Sequence, residues 1–425
     1  MQKKLIAAAV AGALGLPAVA LAQNATVNIY GRLYMEAGFV NQGRSSAAGT
    51  TTGLIDRVQA DLIQAPGSMI GFRGEEKLGG GLSAWFQCET SMDFRGASQD
   101  GLCSRHSALG FKGNFGNVFI GNWQTPFTLA RVTTGGNETG VFGTAALLTG
   151  HSTTVGDGTG PQLWGRRQMN SVNYHSPNFG GFSFKASTTM ANSATARSST
   201  DANAKPRLFS VAGEYANGPL QITAAYEQHN NILGAGAAAA AAPFVAVAAI
   251  PAGGFSGDES AWLVGGSYNF GGKFKLGGMY TKQKWDTVGG VGVFAVPAGA
   301  VGESSVNAWQ LGFEWNVAGP HSIKGAYTRA SDVTGTGAAA TGGLRPAVGG
   351  GTAAGGSTGA KMYQARYFYA LSKRTDFSIG MNHVKNDTYG GYNINGVGGN
   401  GGSGAGAAGV GGKHTGYAFA FDHRF

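Results

Sequence analysis

Residues 306–330 read VNAWQLGFEWNVAGPHSIKGAYTRA, and the way this stretch alternates decides the fold. Trp309, Leu311, Phe313 and Trp315 recur at every second position, with Gln310 and Glu314 between them. A period of two is the mark of a strand with one apolar and one polar face. Ala318-Gly319-Pro320 interrupts it with turn residues, and His321–Ala330 continues as a second strand, so the stretch is a hairpin.

The same unit recurs along the chain. Thr26–Val40 sets Val27, Ile29, Leu33 and Met35 against Asn28, Tyr30, Arg32, Tyr34 and Glu36. Further strands are expected over Ser68–Glu76, Leu82–Met92, Ser104–Lys112, Val118–Trp123, Arg167–Ser176, Gly181–Met190 and Arg207–Tyr215. Leu220–His229, Ala261–Phe270, Lys273–Trp285, Lys361–Leu371, Asp376–Lys385 and His414–Phe425 bring the total to sixteen. The connections alternate long and short, the first and last being long. That order puts every short turn and both termini on one side, as in even-stranded outer-membrane barrels. A soluble sandwich has no reason to sort its loops in this way.

The two faces settle the environment. Trp309 to Trp315, Tyr363, Tyr367 and Tyr369, and Phe274, Leu276 and Tyr280 form apolar faces; Gln310, Glu314, Gln364, Arg366, Lys273 and Lys275 lie opposite. A Lys or Arg facing lipid at the bilayer midplane costs about 2–4 kcal/mol, so the aromatic face meets lipid and the charged face water. The expectation is an all-β, 16-stranded antiparallel transmembrane β-barrel with a wet interior. A soluble barrel with an apolar interior would have a core too large for sixteen strands to fill.

Composition agrees. Charged residues are 12 % of the chain, about half the usual share, and mean hydropathy is −0.07. The 75 glycines follow no G-X-Y period, which excludes collagen. Lys3-Lys4, the apolar Leu5–Leu16 and Ala20-Leu21-Ala22 read as a signal peptide over 1–22, leaving 23–425 as a single domain. Its removal lowers the net charge from +9 to +7. The basic residues are scattered and the chain is exported, so nucleic acid is not an expected partner.

After Trp123, the polar, Gly/Thr-rich residues 124–165 show no alternation. A loop of this length within a compact domain calls for a function, and the expectation is that it folds into the lumen and narrows a pore. Its charges are Arg131, Glu138, His151 and Asp157. Ile232–Gly254 reads as a surface loop, and Gly335–Gly359 and Gly390–Gly412 as flexible segments that need not pack.

Extending the parity of each strand assigns lumen charges. The basic set is Arg32, Arg73, Arg105, Arg167, Lys185, Lys273, Lys275, Lys324, Arg366 and Arg424; the acidic set is Glu36, Glu75, Glu89, Glu214, Glu227, Glu314 and Asp422. This modest basic excess predicts a weak anion preference, since charge rings select ions by sign. Cys88 and Cys103 are symmetric about a hairpin tip near Arg95-Gly96, where a disulfide or two free thiols both fit. The same symmetry makes Phe86 the partner of Arg105. No G-x-S-x-G, H-E-x-x-H or phosphate-binding loop occurs, and the histidines are dispersed, so neither catalysis, metal nor cofactor is expected.

Several stretches resemble the general porins of Gram-negative bacteria, particularly the β-proteobacterial trimeric group. They are Ile29-Tyr30-Gly31-Arg32, Ile70 through Leu82, Arg105–Lys112, Asn170-Ser171-Val172 with Tyr174, and the closing Phe425. The resemblance implies a homotrimer, passive diffusion of small hydrophilic solutes and ions, and a third loop folded inward, with Arg32, Arg105 and Arg167 on the wall opposite it. It also implies outer-membrane lipid and lipopolysaccharide as surroundings. The barrel-assembly machinery would then read Tyr417, Phe419, Phe421 and Phe425 as a C-terminal signal. Met69 and Asn122 depart from wall arginines of related porins. Two other readings remain open, a substrate-specific channel for anionic nutrients and an adhesin that uses its long loops.

Overall fold

The computed structural model describes residues 27–43, 57–94, 101–131, 140–143, 148, 164, 167–189, 207–230, 256–291, 295–332, 334, 357–388, 390, 392, 394 and 411–425. The strands are β1 (Asn28–Gly43), β2 (Arg57–Gln64), β3 (Met69–Gly79), β4 (Leu82–Ser91), β5 (Ser107–Gly113), β6 (Gly116–Gln124), β7 (Arg167–His175) and β8 (Phe182–Thr189). They continue as β9 (Arg207–Asn217), β10 (Leu220–Asn230), β11 (Ser256–Phe270), β12 (Phe274–Val291), β13 (Ala295–Ala318), β14 (His321–Ala330), β15 (Ala360–Ala370), β16 (Thr375–Asn386) and β17 (Lys413–Arg424). Each pairs antiparallel with the next, except that β2 and β3 both pair with β1, and β1 returns to β17, so the sheet closes.

Seventeen segments make sixteen wall strands, because β2 and β3 lie end to end against β1. Glu36 to Gly43 pair with Gln64 to Arg57, and Asn28 to Arg32 with Arg73 to Met69. Between them Pro66 lacks an N–H and Gly67 has φ of 80°, so the ladder breaks. Ser68 repairs the gap: its hydroxyl accepts from the Tyr34 N–H at 2.8 Å and donates to the Tyr34 carbonyl at 2.7 Å. Alternation hid β2, since Asp61 shares the outward side with Ile63.

A closed sheet has no unpaired edge, which is what a bilayer demands of strands. The seam is sealed by Gly31 and Phe425, which exchange backbone bonds of 3.0 and 3.1 Å. The Phe425 ring lies over the Cα of Gly31, where a side chain would collide with it. Trp309, Leu311, Trp315, Tyr363, Tyr417, Phe419 and Phe421 are exposed on the outside, while Gln310, Gln364, Ala418, Ala420 and Asp422 are buried on the inside. The β12–β13 ladder runs on to Val291 and Ala295, well past the Trp285 and Val306 limits that alternation gives. The Gly-, Val- and Ala-rich residues there carry no polar alternation to read.

Cys88 and Cys103 are joined by a disulfide with Cα atoms 4.7 Å apart. The β5 strand begins only at Ser107, and Phe86 pairs with Leu109, not Arg105. Closing a loop of this sequence separation, 15 residues, is worth about 3 kcal/mol in the chain-entropy model. Reduction is expected to lower the thermal unfolding midpoint without opening the barrel, since the β3–β4 and β4–β5 ladders do not depend on it. Gel mobility of heated samples, with and without reductant, checks this.

The signal segment 1–22, residues 232–254 and most of the segments 335–359 and 390–412 lie outside the described residues. Of the last segment, however, Tyr392 and Ile394 are buried rather than free. Asn386 clamps Tyr392 by two bonds of 2.8 and 2.9 Å.

Candidate functional site

The inner wall is built from residues that alternate with the lipid-facing rings, and strand register turns their spacing into rows. Lys275, Glu314, Lys324 and Arg366 are successive Cα partners across β12 to β15, so four side chains far apart in sequence share one level. Three are cations and one is an acid. Lys324 lies 3.7 Å from Glu314. Elsewhere single carboxylates serve two cations: Asp422 binds Arg32 at 2.9 Å and Arg424 at 2.8 Å, and Glu75 binds Lys112 at 2.6 Å and Lys77 at 2.9 Å. Lys185 meets Glu214 at 3.4 Å.

Arg105 lies before β5, where strand parity would send it outward with Leu109 and Phe111. From the connection it turns to the inner face and holds Glu89 at 2.7 Å. Glu89 also accepts from the Tyr30 hydroxyl at 3.3 Å and approaches His106 Nδ1 at 3.3 Å. The Arg73 guanidinium sits 5.0 Å over the Tyr30 ring and, among the described residues, makes no ion pair. Arg167 opens β7 opposite Gln124, and Lys273 lies in the β11–β12 turn.

Among the described residues between β6 and β7, contacts to this wall fall in two places. The first is a 3-10 turn, Gly140–Phe142, packed beside Glu36. Glu36 is 1 % exposed and accepts from the Val141 N–H at 2.8 Å, the Tyr34 hydroxyl at 2.7 Å and the Gln64 amide at 2.5 Å. Asn382 donates to the Val141 carbonyl at 2.7 Å, and Gln364 to the Phe142 carbonyl. Phe142 covers Arg366, 4.3 Å from the ring, and Arg366 donates to Tyr34 at 3.0 Å and Ser378 at 2.7 Å. The guanidinium is 3 % exposed, with two hydroxyls and three ring faces close around it. Gly140 has φ of 72°, and a Cβ there would lie 2.6 Å from the Glu36 carboxylate.

The second place lies across the barrel. A short helix, α1 (Pro126–Leu129), is capped by Thr125, and its Phe127 N–H donates to Ser210 at 3.0 Å. The Leu148 carbonyl accepts from Thr281 at 3.0 Å and Gln283 at 2.7 Å. Trp164 stacks on His229 with centroids 4.5 Å apart. His229 is fully buried, its two ring nitrogens 2.6 Å from Glu259 and 2.9 Å from Glu227.

Of the loop charges, Arg131 donates to the Thr128 carbonyl at 3.3 Å, whereas Glu138, His151 and Asp157 lie outside the described residues. Sequence reasoning missed Lys112, because fixing the strand's parity on Arg105 sent it outward. It also missed His229, which looked like one of eight scattered histidines. Glu227 two residues earlier was the available signal. No group of metal-ligand residues occurs among the described residues.

A family model described as Gram-negative porin matches residues 7–389. Outer membrane porin protein 32 of Delftia acidovorans is 29% identical over 326 residues, covering 71% of this chain and 78% of the relative. Major outer membrane protein P.IB of Neisseria gonorrhoeae is 34% identical over 184 residues, 43% of this chain and 47% of the relative. Among solved structures, an anion-selective porin from Comamonas acidovorans superposes with a TM-score of 0.64 at 22% identity, over 95% of this chain and 100% of that one. A trimer form of OmpT from Vibrio cholerae gives 0.59 at 14% identity, over 95% and 100%.

Proposed function

This chain belongs to the Gram-negative porin family, and from that premise we propose that it is a general diffusion porin of the outer membrane with a weak preference for anions. The observation that carries the sign is the row of Lys275, Glu314, Lys324 and Arg366, three cations to one acid at one level. Asp422 and Glu75, each shared by two cations, leave the wall positive in the same sense. Residues 124–165 act as the constriction; the bonds of Val141, Phe142 and Leu148 to inner-wall side chains support this reading. The anion-selective character named for the Comamonas acidovorans porin agrees with the sign.

The working unit is a homotrimer, as in the trimer form of the Vibrio neighbour. Lipid and lipopolysaccharide surround the exposed aromatic rows, and Tyr417, Phe419, Phe421 and Phe425 form the signal for the barrel-assembly machinery. The chain is a channel and catalyses no reaction; small hydrophilic solutes pass without a cofactor.

The test is a reversal potential across a planar bilayer in a KCl gradient. Chloride is expected to be modestly more permeant than potassium, and the preference to shrink as salt shortens the Debye length. Clear cation selectivity overturns the proposal.

A further inference from the structure

One part of the inner wall carries rings where a plain diffusion path needs only polar groups. Phe119 shares its face with Asn117 and Gly121, away from the exposed Val118 and Ile120, and is 1 % exposed. Trp85, Trp123 and His175 stand edge-on around it, centroids 5.3, 5.1 and 5.1 Å away. Trp123 continues onto His106 at 4.9 Å, and the Trp85 N–H is held by Asn117 at 2.7 Å. Phe119 is therefore a buried floor, and the half-buried rings of Trp85, Trp123 and His106 are the surface above it.

Cations border that surface. His106 leads to Glu89, which Arg105 holds at 2.7 Å, and the Tyr30 bonded to Glu89 lies under the exposed Arg73. Glu89 is held by Arg105, and Arg73 makes no ion pair among the described residues, so its guanidinium attracts an anion beside a wall of rings. Water-facing rings forgo the burial they would have on the lipid side, and a solute with its own ring restores it. We propose that Trp85, Trp123 and His106 together with Arg73 and Arg105 form a solute subsite for monocyclic aromatic carboxylates, the ring resting on the indoles and the carboxylate turned to Arg73. The inference rests on the pore reading and gives it a substrate class. One aromatic pair favours such a solute over a saturated analogue by roughly two- to tenfold, and a guanidinium offers a carboxylate two parallel bonds.

The test compares benzoate with cyclohexanecarboxylate, equal in charge and similar in size but without a π face. Each is titrated against the KCl current of the wild-type protein in a planar bilayer. Benzoate is expected to halve the current at a concentration roughly two- to tenfold lower, the size of one ring pair. Trp123→Leu, measured against its own KCl current, should abolish the difference. Arg73→Gln should raise the half-blocking concentration of both acids. Equal block of the wild-type channel, or no block by either acid, overturns the inference whether or not the variants fold. A wild-type protein that conducts no KCl removes the pore reading, and this inference with it.

Discussion

Glu36→Ala is expected to free the Gly140–Phe142 turn from the wall and to raise single-channel conductance. Three donors converge on this one carboxylate, and only the Val141 N–H comes from the loop. A hydrogen bond to a charged group contributes about 1.5–3 kcal/mol. Losing it shifts the docked-to-undocked ratio by about ten- to a hundredfold, at 1.4 kcal/mol per decade. The Tyr34 hydroxyl and Gln64 amide lose the same acceptor, and Tyr34 is also the partner of Arg366. Phe142 would then leave the guanidinium it covers, so open-channel noise should rise with the conductance. Gly140→Ala approaches the same end from the loop side, through its left-handed φ and the collision with Glu36. Unchanged conductance in a folded Glu36→Ala barrel would show that the turn does not narrow the path.

His229→Ala should give the largest loss of stability. The imidazole is the shared partner of Glu227 and Glu259, one at each ring nitrogen, and all three side chains are buried. Breaking a buried ion pair by removing one member typically costs about 3–5 kcal/mol. The same change takes the stacking partner from Trp164, so the far end of the loop loosens as well. His229→Ala combined with Glu227→Gln and Glu259→Gln removes the repulsion and should recover much of the lost midpoint, though not the Trp164 contact. Unfolding midpoints in detergent, followed by tryptophan fluorescence, separate the two contributions. A single variant as stable as the wild type would mean that the carboxylates are not held as a charged pair.

Legibility in the sequence followed the range of the forces involved. Trp309 to Trp315 revealed their face because alternation is local and the cost of a charge in lipid is the same wherever the strand sits. Arg105 was misregistered because a disulfide-bearing loop, not a hairpin turn, sets where β5 begins. The contacts of Tyr392 and Ile394 were unreadable, being short apolar islands in a Gly-rich segment.

By itself the sequence determined the closed barrel, its two faces and the order of its strands. Only the tertiary structure decided which charges meet, which inner-wall side chains bond Val141, Phe142 and Leu148, and that two wall segments make one strand. The reason is closure. Arg32 meets Asp422 across 390 residues and Arg366 meets Tyr34 across 332, distances that no local pattern encodes and that only the returning sheet makes short.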